Sequence, residues 1–283
     1  MVEDSRVLIT GATSYVGRRL VRKLLVEGYE PWALARKASS QDLLGDLGIN
    51  VASWTDFPKA SRLVHLATLY SGQTEPGQSI KMFESNVSSP RGLIEAFLGQ
   101  GGTRVVCAGT CWEDCGGSRT PANFYAATKA SFRVLASTMM AEAKGELFWL
   151  RFSDIVGDDD ARSRLFVSLK DGMEKGLPMP MTLGSQPFDP VWVGDAERAL
   201  IGSLNASVDR GGYFGDFGIS GGDPKSLREK VQAILEKCGK EGLVQCGMKN
   251  YRHGEPFMVN WREGPAWWRP EVDYAGVIDR IFS

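Results

Sequence analysis

Apolar positions along this chain follow two rhythms that take turns. The runs Arg6–Ile9, Tyr29–Ala35, Asn50–Trp54, Arg62–Leu66, Arg104–Ala108 and Leu147–Phe152 are short and rich in apolar and β-branched residues, and read as strands. Between several of them lie stretches with a helical repeat, such as Tyr15–Leu25, where Val16, Leu20, Leu24 and Leu25 recur at helical spacing. Strands alternating with amphipathic helices predict an α/β fold, a doubly wound parallel sheet with helices on both faces. In such sheets ligands bind beyond the carboxyl ends of the strands, so functional residues are sought just after each one.

After Gly157 the pattern changes. Asp158, Asp159 and Asp160 open a polar connection, followed by a helical Arg164–Glu174 and a Pro-, Met- and Gly-rich Leu177–Pro190. The aspartate run is open to a cation site or a solvated loop, and charge runs are usually the latter. Short strands are expected at Val191–Val193 and Tyr213–Phe217, with a helix over Asp195–Leu204 between them. Helices at Leu227–Cys238 and near Glu271–Ile281 flank an aromatic-rich Trp261–Trp268. The predicted organisation is a main domain over residues 1–157 and a smaller α/β cap over 158–283, with 190–217 returning to the main domain.

Composition removes several function classes. The 283 residues, 43% hydrophobic, can bury a sizeable core, and a net charge of −1 leaves no basic excess for nucleic acid. No apolar run is long enough to cross a bilayer, and the first residues lead into Val7-Leu8-Ile9 without the shape of a signal peptide. A cytoplasmic protein is expected. The five cysteines form no Cys-x-x-Cys and neither histidine lies near a cysteine, so no metal site is expected. Cys111 and Cys115 read as buried thiols rather than reactive ones.

Candidate chemistry begins at Gly11-Ala12-Thr13-Ser14-Tyr15-Val16-Gly17, between the first strand and the first helix. Gly11 permits a tight turn, the helix N-terminus offers free N–H groups to a pyrophosphate, and Gly17 lets helix and sheet approach closely. The full pattern carries glycine at position 14; Ser14 is the next smallest choice, so backbone approach is reduced rather than abolished. By its letters alone this is a glycine-rich turn or a dinucleotide loop, and its place between strand and helix favours the second. Roughly twenty residues on, an acidic residue would grip a ribose 2′-hydroxyl. Arg36 and Lys37 stand there instead. They read as solvated charge or as a grip on a 2′-phosphate, and the second reading gives NADP(H) as the cofactor.

Beyond the strand that ends near Thr110 lies Asn123-Phe124-Tyr125-Ala126-Ala127-Thr128-Lys129 in a helical stretch. Tyr125 and Lys129 are one turn apart on one helix face, where a cation stabilises tyrosinate and pulls the phenol pKa toward working pH. Alone, such a pair is a common coincidence.

Together these pieces resemble the extended short-chain dehydrogenase/reductase superfamily, in its NAD-dependent epimerase/dehydratase branch. The matching residues, in family order, are Thr10-Gly11-x-x-Ser14-x-x-Gly17, Leu63-Val64-His65-Leu66-Ala67, Asn86, Thr110, Tyr125-x-x-x-Lys129, Arg151 through Gly157, Val193-Gly194-Asp195 and Arg252-His253-Gly254-Glu255-Pro256. The resemblance implies a Rossmann-like dinucleotide domain with a substrate-binding cap. It implies that Tyr125 is the general acid/base, that Lys129 binds the nicotinamide ribose and lowers the tyrosine pKa, and that Thr110 orients the substrate oxygen. Thr13, Ser14, Tyr15, Val16, Leu66, Ala67, Asn86, Phe152 and Ile155 fall at positions that surround the cofactor. Thr68, Cys111, Trp112, Asp154 and Arg252 fall toward the substrate, Arg252 like the arginine that holds a nucleotide-sugar diphosphate. A homodimer is also implied, through the helix containing Ser131, Leu135, Met139 and Met140.

Plainer readings stand beside several of these. His65 reads as a satisfied core histidine, Asn86 equally as a structural hydrogen bonder, Asp195 as a helix cap, and Trp261, Trp267 and Trp268 as packing residues.

Departures from the family narrow the chemistry. Sugar 4,6-dehydratases carry Asp-Glu after the active-site threonine, whereas Thr110 is followed by Cys111 and Trp112, which cannot supply that acid–base pair. Phe188 stands where many relatives have arginine, and Asp154 where they have asparagine. Arg36 and Lys37 speak for an exchangeable NADPH. The segments around Thr110 and Tyr125 resemble deoxysugar reductases of the paratose and abequose synthase kind, which implies reduction of the C4 ketone of a nucleotide-linked 4-keto-6-deoxyhexose. A nucleotide-sugar epimerase, a reductase of a non-nucleotide ketone, and a non-enzymatic dinucleotide sensor are the competing expectations.

Overall fold

The computed structural model describes residues 5–35, 48–71, 77–115, 121–160, 162, 164–209, 211–251 and 255–282. In chain order, β1 (Arg6–Thr10), α1 (Tyr15–Val26), β2 (Glu30–Ala35), β3 (Asn50–Ser53) and β4 (Arg62–His65) form the first half of the sheet layer. Next, α2 (Gln78–Phe83) runs through a π-helical turn, Glu84–Ser88, into α3 (Ser89–Gly99). Then come β5 (Arg104–Thr110), a 3₁₀ turn at Cys111–Glu113, α4 (Phe124–Glu142) and β6 (Glu146–Phe152). Seven parallel strands, including β11 (Tyr213–Ile219) further along, lie in the order β3-β2-β1-β4-β5-β6-β11. The chain order reverses between β1 and β4, and the crevice for a ligand opens at the carboxyl ends there.

Strand alternation divides the core in two. Val7, Ile9, Val64, Val106, Phe148 and Leu150 pack with Leu20, Val21 and Leu24 of α1. Leu8, Leu63, Val105, Cys107, Leu147 and Trp149 turn the other way, toward Phe97 of α3 and Phe132, Ala136 and Met140 of α4. Both faces of the central strands are buried, which is why they read as continuous apolar runs.

The remainder is built from β7 (Ile155–Val156), α5 (Arg164–Lys175), β8 (Met179–Met181), β9 (Pro187–Phe188), β10 (Val191–Trp192), α6 (Val193–Asn205), β11 (Tyr213–Ile219), β12 (Lys225–Ser226), α7 (Leu227–Lys237), β13 (Val244–Cys246) and α8 (Tyr274–Phe282). Pairings β7–β10, β8–β13 and β9–β12 make three small ribbons. Ala199 and Leu200 of α6 join the α1 side of the core, and β11 pairs with β6 along its full length.

Three expectations need correction. Asp195 is not the cap of α6; that place belongs to Trp192, and Asp195 Oδ2 instead accepts the N–H groups of Glu271 (3.2 Å) and Val272 (3.0 Å), tying down the C-terminal tail. The last helix starts at Tyr274, because Asp195 and a turn at 271–273 hold the preceding residues. Met140, expected on a dimer face, is buried in the core and would meet a Cβ at Gly145. The aspartate run is met by arginines: Asp158 and Asp159 pair with Arg19 at 3.7 and 3.1 Å, and Asp160 with Arg162 at 2.8 Å. Trp268 is buried with its N–H on Asp195 O, and Trp267 lies over Gly202, so both pack.

Candidate active site

The loop after β1 meets the loop after β4 where the strand order reverses. Gly11 has φ +73°, and a Cβ there would stand 2.8 Å from Ala67 N and 3.0 Å from the Leu66 carbonyl carbon. At Gly17, in the first turn of α1, a Cβ would collide with Gly11 O. Neither position tolerates a side chain. Ser14 is different. With φ −70° and ψ 165° it is the N-cap of α1, and its Oγ accepts the Gly17 N–H at 3.0 Å. The serine in the glycine pattern is therefore a helix cap in a conformation open to any residue.

Gly17 N–H is held by Ser14 Oγ and Arg18 N–H by Ser14 O (2.9 Å), which leaves the N–H groups of Tyr15 and Val16 without partners inside the helix. Glycines that a Cβ would fill and a helix N-terminus with two such N–H groups fit a dinucleotide pyrophosphate. The Tyr15 and Val16 side chains are buried in the core, so their contribution to such a site is through backbone. Burial raises the Tyr15 phenol pKa, and the guanidinium groups of Arg19 and Arg162 lie over its ring. Thr13 is half-buried.

The backbone after β4 is fixed at both ends. Thr10 Oγ1 accepts the Ala67 N–H at 3.1 Å and lies 2.8 Å from His65 Nδ1, while Trp54 and Phe132 pack edge-on against the imidazole. His65 is thus a core histidine. At the far end Asn86, in the π-helical turn, accepts the Leu69 N–H at 2.7 Å and donates to Leu69 O (2.9 Å) and Thr128 Oγ1 (3.1 Å). Both amide hydrogens are used inside the protein, so Asn86 fixes the loop carrying Leu66, Ala67 and Thr68 and has no donor left for a cofactor.

Asn123 caps α4, its Oδ1 accepting the Ala126 N–H at 2.9 Å. One turn in, Lys129 is buried and donates to Ala108 O at 2.9 Å, which fastens α4 to β5 two residues before Thr110. Tyr125 hydrogen-bonds the exposed Thr68 and meets the ring of Tyr70 edge-on, 5.1 Å between centroids. Burial pushes the Tyr125 phenol above its ordinary range, with the Thr68 bond opposing, and burial pushes the Lys129 ammonium down. The expectation was a phenol pulled down by Lys129. The net shift is upward because loss of water around a phenolate is the largest effect, and the titrating groups acting on Lys129 are Cys107 and Glu113.

Thr110 ends β5 in register with Phe152 of β6. Its Oγ1 accepts the Trp112 N–H at 3.3 Å while Glu113 accepts the Thr110 N–H at 2.9 Å, a reciprocal cap on the 3₁₀ turn. Trp112 and Ile155 are half-buried and Asp154 is exposed. Cys111 and Phe152 are buried. Burial pushes the thiols up, Cys107 to about 12, Cys115 to about 11 and Cys111 well above its usual value, which makes them inert. Arg36, Lys37 and Arg252 lie outside the described residues. Among the described residues no group of His, Cys, Asp and Glu could hold a metal ion.

Sequence reading missed a charged layer beside Thr110. Arg151, buried, makes two 2.7 Å bonds to Asp216; Arg133 reaches Glu113 (3.2 Å) and Asp216 (3.5 Å); Arg262 reaches Asp114 (3.4 Å) and Asp216 (3.7 Å). Asn260 donates to Asp114 Oδ1 at 2.8 Å and Cys115 bridges Val259, so the tail crosses the end of the active-site turn. The available signal was Arg151 itself, a cation in an apolar central strand that requires buried partners.

The profile of the NAD dependent epimerase/dehydratase family matches residues 7–213. A CDP-abequose synthase from Salmonella muenchen is 22% identical over 259 residues, 89% of this chain and 87% of the relative. A dTDP-6-deoxy-L-talose 4-dehydrogenase (NAD(+)) from Aggregatibacter actinomycetemcomitans is 24% identical over 249 residues, 81% of this chain and 89% of the relative. Among solved structures, a double mutant of the dTDP-glucose 4,6-dehydratase DesIV from Streptomyces venezuelae, with NAD bound, aligns at a TM-score of 0.81 and 20% identity, covering 97% of this chain and 95% of that one. That structural likeness speaks to the fold.

Proposed function

The chain belongs to the NAD dependent epimerase/dehydratase family, and from that premise we propose that it reduces the C4 ketone of a nucleotide-linked 4-keto-6-deoxyhexose with NADPH. The observation that carries the reading is that Lys129, one turn from Tyr125 on α4, bonds Ala108 O at 2.9 Å and so locks that helix to β5 two residues before Thr110, with the Tyr125 phenol hydrogen-bonded to Thr68. Reduction asks this phenol to donate its proton to the developing alkoxide, whereas an epimerase must first use it as a base. The two curated relatives named above, a CDP-abequose synthase and a dTDP-6-deoxy-L-talose 4-dehydrogenase, support a deoxysugar nucleotide as substrate.

Gly11, Gly17 and the N–H groups of Tyr15 and Val16 would hold the dinucleotide, which would supply the hydride. Thr110 holds the ketone oxygen by its hydroxyl. Tyr125 protonates that oxygen as negative charge develops on it. Lys129, anchored on Ala108 O, stabilises the resulting phenolate by its charge. Trp112 and Asp154 face the sugar, and Arg252 is assigned to the diphosphate by its place in the sequence.

The choice of NADPH rests on Arg36 and Lys37. The name of the talose enzyme specifies NAD(+), and that keeps NADH as the competing cofactor. A homodimer is also proposed, with the contact on Ile80 and Phe83 of α2 and Val134 and Leu135 of α4, large apolar side chains that are exposed.

The test is turnover of NADPH and NADH with a panel of nucleotide-linked 4-keto-6-deoxyhexoses, followed by nicotinamide absorbance. Wild-type protein is expected to consume NADPH with at least one member, and Tyr125→Phe to lose about 10²- to 10⁴-fold in kcat while still binding dinucleotide. Bound NAD that survives purification, with no net consumption of NADPH, would instead point to an epimerase.

A further inference from the structure

Beneath Thr110 lies a carboxylate that the proposed reaction does not use. Glu113 closes the 3₁₀ turn after β5, and its side chain is sealed from solvent. Oε1 accepts the Thr110 N–H at 2.9 Å and the Trp149 indole N–H at 3.0 Å; Oε2 accepts the same indole at 3.2 Å and Arg133 Nε–H at 3.2 Å. Every contact brings a donor to an oxygen, the pattern of an ionised carboxylate. Gly109 is constrained by the same group, since a Cβ there would stand 2.6 Å from Glu113 Oε1 and collide with the indole of Trp149.

The charged and titratable groups around this anion come from several elements. Arg133, Lys129 and Tyr125 face it from α4, Arg151 from β6 and Cys107 from β5. Asp216 on β11 and Asp114 on the turn share the arginines. Burial raises the pKa of Glu113, and the Thr110 N–H, Arg151, Trp149 and Arg133 oppose that rise. In turn, its charge favours the protonated forms of both Tyr125 and Lys129.

We propose that Glu113 is a positioning residue for the reduction, fixing the Thr110 hydroxyl through its backbone N–H and setting a sealed negative charge beside the helix that carries Tyr125 and Lys129. The proposal rests on the ketoreductase reading and deepens it. A cap on a three-residue turn needs only an acceptor. A sealed charge acts further, because little water lies between it and the helix that carries the pair.

Glu113→Gln keeps the shape and an acceptor for Thr110 and removes the charge. Turnover is expected to fall about 10- to 100-fold, with the melting temperature and circular dichroism reporting the folded fraction. The alkaline limb of kcat/KM is expected to move to lower pH, because an anion that favours the protonated phenol is gone while the phenol's burial remains. The same direction of shift is expected in the pH dependence of NADPH and NADH affinity, since loss of the anion lets Lys129 lose its charge sooner. That binding readout needs no turnover, so it separates failure of this proposal from failure of the ketoreductase reading. A folded Glu113→Gln protein whose alkaline limbs match wild type overturns the proposal, as does a rate loss that merely follows loss of folded protein. Should the variant not fold, it is made in a Trp149→Phe background with Trp149→Phe as reference, where the indole N–H no longer opposes the amide; the same shift is expected there, and its absence overturns the proposal.

Discussion

Asn86 and Tyr125 show how far a residue's environment governs what it can do. Asn86 satisfies Leu69 N–H, Leu69 O and Thr128 with one amide. Asn86→Ala removes the partner of Leu69 N–H and of Leu69 O, while Thr128 keeps its bond to Tyr125 O, and is expected to cost about 1–3 kcal/mol in urea unfolding, with dinucleotide affinity falling as a consequence of the loosened loop. A variant with unchanged stability and lost affinity would assign Asn86 to the cofactor instead. Tyr125 carries the opposite lesson. Its spacing from Lys129 was legible in the sequence, yet the sign of its pKa shift was not, because desolvation depends on neighbours such as Thr68 and Tyr70 that lie far away along the chain.

Elements decide where such residues meet. The first turn of α1 is held by Ser14 and Gly17, and Gly11 brings it against the backbone after β4. Gly11→Ala forces a Cβ into a left-handed conformation and toward Ala67 N, and is expected to destabilise by about 1–3 kcal/mol. Fluorescence titration is expected to find dinucleotide binding lost; retained wild-type affinity would mean that the loop has another role. In α4, capping by Asn123 and the Lys129–Ala108 bond set the helix on β5, so Thr110 and Tyr125 come from elements locked to each other. The helix periodicity showed that Tyr125 and Lys129 share a face. It could not show which carbonyl Lys129 would find.

At the scale of the whole molecule, buried phenols and thiols set the alkaline limit of stability. Tyr15, Tyr125 and Tyr274 are all raised by burial from an ordinary value of 10.0, and Cys107 and Cys115 rise from 9.0 to about 12 and about 11. The unfolded chain releases these protons first, so above pH 9 it binds fewer protons than the folded chain and stability falls as pH rises. The stability is fully present below the unfolded values and lost toward the folded ones. A urea midpoint that drops steadily between about pH 8 and about pH 11 is expected; a flat or rising midpoint would contradict the burial of these groups. The sequence by itself determined the alternation of strand and helix, the phosphate loop and the one-turn spacing of Tyr125 and Lys129, because each is a local pattern of apolar periodicity, glycine placement or helix geometry. Tertiary structure alone decided that Asp195 ties the tail and that Glu113 meets Arg133 and Trp149. Those outcomes depend on segments brought together by the sheet order, and on how much water their meeting excludes.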